Sequence, residues 1–116
     1  MSIINVDLDA EYVPKTEDQD IKVSVEIGDG QCGAYVIFLD KELKGTNAEA
    51  NIGNKANVVG KRTIVATTII DTLKETNWTS VTIKIREGNF SQTFGPYKKQ
   101  APENNDMVIY TLKIMH

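Results

Sequence analysis

The chain is poor in the residues that most enzyme chemistry and most covalent stapling need. Among its 116 residues there is one cysteine, Cys32, and one histidine, His116. A single cysteine excludes an intrachain disulfide. One residue of each kind also excludes a zinc site built from nitrogen and sulfur ligands. A serine or cysteine nucleophile needs a neighbouring base, and the sole imidazole stands at position 116. Cys32 is therefore expected to be a small buried hydrophobe. No apolar run approaches the ~20 residues of a membrane helix. The opening residues, MSIINVDLDAEY, lack the basic and apolar segments of a signal peptide, so a cytoplasmic protein is expected. Without such a signal, the glycosylation triplets at Asn77 and Asn89 read as chance. An excess of positive charge is missing as well: 13 Lys and Arg stand against 16 Asp and Glu, for a net charge of −3. That balance gives no general attraction to nucleic acid or to an anionic membrane. The glycines around Gly53 and Gly60 lack the GxxxxGK[ST] spacing of a phosphate cradle. No cofactor is expected.

What the chain has is β-branched alternation. Its 41% hydrophobic and 25% charged residues suit one soluble domain over residues 1–116. The organising stretch is Gly60 to Arg86, GKRTIVATTIIDTLKETNWTSVTIKIR. Read as a helix, residues 63–76 would collect Val65, Ala66, Ile69, Ile70 and Leu73 on one face and make the fold α+β. Seven of the eight residues in TIVATTII are Thr, Ile or Val, which are stiff in helices and favoured in strands. A strand is therefore predicted, followed by one helical turn capped by Thr72 and Glu75.

Other strands follow from period-two alternation. Ile4, Val6 and Leu8 share one face of the first. Val81, Ile83 and Ile85 share one face of another. Val108, Tyr110, Leu112 and Ile114 share one face of the last, leaving Ile109 and Met115 outside. A tight turn at Asp40 leads to a short strand near Leu43. Residues 45–60 read as a long loop holding one short strand, near 48–52. Gly88-Asn89 suits a two-residue turn that sets Phe94 against Ile83, and Gly95-Pro96 is expected to end that strand. Asp29-Gly30 is likewise a two-residue hairpin signal. Taken so, it pairs Ile27 with Cys32, Val25 with Ala34, Val23 with Val36 and Ile21 with Phe38, all small or apolar and on one face. Tyr35, Ile37 and Leu39 are then left on the opposite face. About eight short strands predict an all-β fold, a two-sheet antiparallel β-sandwich.

Three groups of residues are candidates for function. Tyr35, Ile37, Leu39, Ile109 and Met115 form an outward apolar set, where a protein partner or a second copy would dock. Trp78, with Asn77 and Thr79 beside it and Asn54 in the 45–60 loop, has the mix of aromatic face and polar groups that binds sugars. A Trp that closes the end of the core competes with that reading. Asp7, Asp9 and Glu11 offer oxygen ligands for calcium. No Asp-x-Asp-x-Asp-Gly loop accompanies them, and a strand edge kept charged against edge-to-edge pairing explains them first. The expected function is a non-enzymatic module acting through protein contacts or self-association. The alternative is a carbohydrate or small-ligand module that uses Trp78 and the 45–60 loop, with calcium at Asp7 and Asp9.

Overall fold

The computed structural model describes residues 2–72 and 76–116. Among these residues, nine strands form two packed sheets. One sheet has five strands: β1 (Ile3–Glu11), β3 (Cys32–Leu39), β4 (Glu42–Thr46), β6 (Arg62–Ile70) and β9 (Met107–Met115), in the order β1-β9-β6-β3-β4. The other has four: β2 (Ile21–Ile27), β5 (Ala50–Gly53), β7 (Trp78–Glu87) and β8 (Phe90–Gln100), in the order β5-β2-β7-β8. This is the all-β sandwich that the alternation predicts, and residues 62–70 are a strand. One pair departs from the antiparallel expectation, since β1 runs parallel to β9. A single helical turn, α1 (Lys55–Val58), interrupts the stretch read as a loop. The capped turn expected at Thr72–Glu75 falls on residues 73–75 and lies outside the described residues.

The core lies between the sheets and is built from the alternate residues of each strand. Ile21 and Val23, Val81, Ile83 and Ile85, and Val108, Leu112 and Ile114 are all buried. The Gly88-Asn89 turn sets its hairpin as predicted, with Glu87 opposite Phe90 and Phe94 opposite Ile83. Gly95-Pro96 does not end β8. The strand runs on to Gln100 through a register shift opposite Val81 and Ile83. It lies at a sheet edge, where a proline leaves no ladder bond unmade.

The main correction concerns β2 and β3. They do not pair. β2 lies between β5 and β7, and β3 lies between β6 and β4 in the other sheet. Asp29 and Gly30 do adopt the left-handed conformation of a tight turn, at φ 56° and 69°, so the local chemistry was read correctly. The turn nevertheless carries the chain from one sheet to the other. Gly28 N donates to Ser80 O at 3.0 Å, and the Gln31 side chain plunges inward to donate to Asp71 Oδ1 at 2.8 Å and to Trp78 O at 3.2 Å. Those bonds tie the arch to β7 and to the end of β6. The sides of β3 are thereby exchanged. Ile37 and Leu39 are buried, Tyr35 is half-buried against the core, and Cys32 is exposed.

Candidate functional site

The two sheets turn very different faces to solvent. On the four-stranded sheet, Lys22, Ser24 and Glu26 of β2 alternate outward and stand beside Arg86, Lys84 and Thr82 of β7. That face is polar, and the groove at its end is lined by Asp18, Gln19, Asp20, Lys22 and Arg86. The five-stranded sheet carries many more apolar side chains on its outer face, with charged groups at Asp7, Asp9, Glu11, Lys113 and Arg62 toward one side and end, and strand register fixes its rows. One row runs Ile3, Met107, Ile70, Cys32. The next runs Asn5, Ile109, Thr68, Ala34. A third runs Asp7, Thr111, Ala66, Val36, Thr46, and a fourth Asp9, Lys113, Ile64, Phe38, Leu43. Large side chains stand proud at several points, with Ile3, Leu43, Ile70 and Met115 exposed. Between them is a shallow groove of about 160 Å³ floored by small residues, among them Ala34, Ala66 and Thr68.

Of the five apolar residues expected outside, Ile109 and Met115 are on this face. Tyr35, Ile37 and Leu39 are on its reverse, in the core. Val36, Phe38, Ile64 and Ile70 take their place. The signal for the β6 members was present in TIVATTII, whose apolar groups fall on both sides of a strand. One side fills the sandwich and the other is left facing solvent.

Asp7, Asp9 and Glu11 project from β1, an edge strand, along the margin of the apolar face. Alternate residues of one strand are spaced about 6.7 Å apart, too far to converge on one ion without other ligands. Among the described residues no group of three or more acidic, histidine or cysteine side chains is placed to hold a metal.

Trp78 opens β7 at the end of the sandwich where the β2–β3 arch crosses. It is 45% exposed and does not close the core. Thr79 is fully buried, with its hydroxyl bonded to Lys99 O and Tyr110 Oη at 2.7 Å each, so it is not free for a ligand. Asn54 follows Gly53, which lies across β2 from Glu87 at the far end of β7. Trp78 and Asn54 are thus separated by the ten residues of β7, about 30 Å, and belong to no common site. Asn77 remains beside Trp78. Its carbonyl accepts from Ala101 N at 2.7 Å.

The titratable groups buried in the molecule are engaged in holding it together. Burial lowers the pKa of the His116 imidazole. Its Nδ1 donates to Tyr12 O at 2.9 Å, which leaves Nε2 to accept from the Thr63 hydroxyl at 2.6 Å. Glu87 points into the core end at 1% exposure. It accepts from Tyr12 Oη at 2.6 Å, from the backbone N–H groups of Lys15 and Thr16, and from Thr16 Oγ1. Burial alone would raise its pKa, but these donors outweigh burial and hold the carboxyl below the ordinary glutamate range. Asp71 is also buried, and among the described residues its Oδ2 has no hydrogen-bond partner. Among the described residues, no helix is long and apolar enough to cross a membrane.

No protein-family model matches the chain, and no curated protein or solved structure was found to be similar to it.

Proposed function

We propose that this domain is a non-enzymatic contact module whose working surface is the outer face of the five-stranded sheet. The observation that carries the reading is the contrast between the two outer faces, one polar and charged throughout and one with an apolar patch around Ile109, Ile70, Ile64, Val36 and Phe38. An antiparallel sandwich ordinarily keeps both outer faces wet. A continuous apolar face larger than a few hundred Å² marks a place where another macromolecule sits. The non-enzymatic part of the reading is supported by the engagement of both His116 ring nitrogens and of all the Glu87 acceptors in structural bonds. At protein concentrations too low for association, the dye ANS should brighten on the wild-type domain. Ile64→Lys with Ile109→Lys should lose most of that signal, and Lys84→Glu on the opposite sheet should keep it. A wild type that leaves the dye dark, or a signal indifferent to the two lysines, rejects the proposal.

A second reading, a carbohydrate or other small-ligand site, is favoured only by the exposed ring of Trp78. That ring should be readily quenched by acrylamide in the native protein. If a panel of oligosaccharides, with and without calcium, leaves its emission unchanged, this reading fails.

A further inference from the structure

We infer that two copies of this chain join edge to edge, the β1 strand of each filling an empty place beside β8 of the other, about a twofold axis parallel to the strands. The inference uses the open side of the sandwich and is independent of the outer face treated above.

The two sheets end in a step. On one side the sandwich is closed, because β4 meets β5 so closely at Gly45 that a Cβ there would stand 2.9 Å from the Ala50 Cβ. Toward the other side β9 lies over β7 and β8. Its Tyr110 hydroxyl bonds Thr79 of β7, which in turn bonds Lys99 O of β8. β1 stands one strand further out than β9, and the four-stranded sheet ends at β8 with no strand to set opposite it. Burial records the gap. The inward residues of β9 are buried, whereas Ile4, Val6, Leu8 and Ala10 of β1 are only half-buried. A slot one strand wide therefore runs beside β8, facing this apolar row.

The backbone on both edges is set for a strand. Ser2 O accepts from Met107 N and Tyr12 N donates to Met115 O. The even residues of β1 thus bond β9, and Asn5, Asp7, Asp9 and Glu11 turn their N–H and C=O groups to the open edge. In β8, the two-residue turn closes on Glu87 and Phe90, and Ala101 N donates to Asn77 O. Ser91, Thr93, Lys98 and Gln100 therefore turn theirs away from β7. On both strands these free residues are the ones whose side chains point out of the sandwich. An antiparallel pair of β1 with β8 satisfies them and keeps both inner rows inward. Pro96 has no N–H to satisfy and sits at the register shift, so pairing runs on either side of it.

Charge and shape select a second copy. The outward side chains of β1 include Asp7, Asp9 and Glu11 and no cation. Those of β7 and β8 include Lys84, Arg86 and Lys98 and no carboxylate. Arg86 already bonds Glu49 and Lys98 stands 3.8 Å from Asp29, so Lys84 is the one left unpaired among the described residues. Lys113 faces Asp9 across the β1–β9 pair but forms no ion pair with it among the described residues. Pairing β1 with β1 would set acids against acids, and pairing β8 with β8 would drive the two overhanging strands together. Pairing β1 with β8 joins opposite charges. The Tyr12 ring lies 6.3 Å from that of Phe90, so β1 runs antiparallel to β8, with Asp9 and Glu11 level with Ser91 and Thr93. An axis parallel to the strands keeps those levels in the second copy and brings the acids beside Lys84 and Arg86. The same rotation lays the two half-buried rows on each other and closes both steps at once, as an isologous contact requires. Two continuous sheets result, each with four strands from one copy and five from the other. The open side is nine residues long and 20 Å thick. At about 30 Å of length it presents roughly 600 Å² per copy, a total at the ~1,200 Å² lower end of specific interfaces.

Light scattering of the intact protein across about 1 μM to 1 mM is the test. The expected mass rises toward twice 12.9 kDa. Thr93→Pro removes a backbone donor that β7 does not use, on an edge strand where proline is tolerated. It should hold the mass at the single chain with an unchanged circular dichroism spectrum. Asp9→Lys should do the same through charge, and adding Lys84→Glu to it should restore association. Amide hydrogen exchange at Asp7 and Thr93 should slow severalfold as wild-type concentration rises. Ile64→Lys with Ile109→Lys should associate like the wild type. If Thr93→Pro fails to fold, Asp9→Lys and its rescue decide. A wild type that remains single-chain throughout overturns the dimer, as does a dimer that the folded edge variants leave intact. A dimer abolished by Ile64→Lys with Ile109→Lys but not by the edge variants also overturns it, and leaves the contact-module reading standing.

Discussion

Glu87→Ala is expected to destabilise the domain by about 3–5 kcal/mol, because several hydrogen bonds to one charged acceptor are lost together and the buried Tyr12 hydroxyl is left unpaired. The domain's whole stability should be about 5–15 kcal/mol, so the variant is expected to be partly unfolded well below the wild-type melting temperature. Urea unfolding measures the difference. The loss has an identifiable origin. Glu87 lies on the core side of β7, continuing the row of Val81, Ile83 and Ile85, and is buried because the β1–β2 connection folds over it. Lys15 N and Thr16 N donate to its carboxylate at 2.9 and 2.7 Å, and Tyr12 Oη at 2.6 Å. Remove the acceptor and the buried Tyr12 hydroxyl is left without a partner, while the part-buried N–H groups of Lys15 and Thr16 lose theirs. Tyr12→Phe deletes one donor and leaves the carboxylate three others, so its loss should be smaller, about 1–2 kcal/mol. The same network predicts two pH limits. The folded Glu87 carboxyl titrates below its unfolded value of 4.5. Its contribution is therefore complete above that value and disappears as pH falls through the folded one. Tyr12 shows the opposite sign. Burial first, and then the bond to Glu87, raise its phenol above the unfolded 10.0. Its contribution is complete below pH 10 and is lost as pH climbs toward the folded value. Glu87→Gln should flatten the acid limb measured in urea. An acid limb as steep as that of the wild type would show that other carboxylates produce it.

The strands were legible in the sequence because alternation and β-branching are local. Residues 63–70 and 81–86 needed no tertiary information, and the two-residue turn at Gly88-Asn89 fixed the register of β7 against β8. The partner of β2 was not legible. Asp29-Gly30 specifies a sharp reversal, and a reversal serves equally for a hairpin within one sheet and for an arch between two. Strand β3 gave no help, since Cys32, Ala34, Val36 and Phe38 on one side are as apolar as Tyr35, Ile37 and Leu39 on the other. Patterning assigns faces only where one side is polar. What decides in the folded chain is Gln31, whose amide is anchored on Asp71 and on the backbone of Trp78. That anchor joins residues forty or more positions apart, and no local pattern reports it. Glu87 was hidden for the same reason, since its donors lie more than seventy positions away. The apolar outer face was therefore legible as an excess of hydrophobic residues, but half of its members could be named only after the sheets were assigned.

The two readings of β3 make opposite predictions, and one pair of substitutions separates them. Ile37→Lys should unfold the domain. Ile37 is fully buried between the sheets, opposite Val65 of β6. A lysine there loses the packing of the isoleucine and has no partner for its charge, which places the loss beyond ~4 kcal/mol. Val36→Lys should leave the fold standing. Val36 lies on the outer face between Ala66 and Thr46, where a lysine stem lies along the sheet and its ammonium reaches water. Its effect on unfolding at high dilution should stay within ~1 kcal/mol. Had β2 and β3 formed the hairpin that Asp29-Gly30 suggests, Val36 would be inside against Val23 and Ile37 outside, and the tolerant position would be 37. Far-ultraviolet circular dichroism and urea midpoints of the two variants distinguish these cases directly. A folded Ile37→Lys beside an unfolded Val36→Lys would reverse the faces of β3. It would also remove Val36, Phe38 and Cys32 from the outer surface of the five-stranded sheet, and with them much of the proposed contact face.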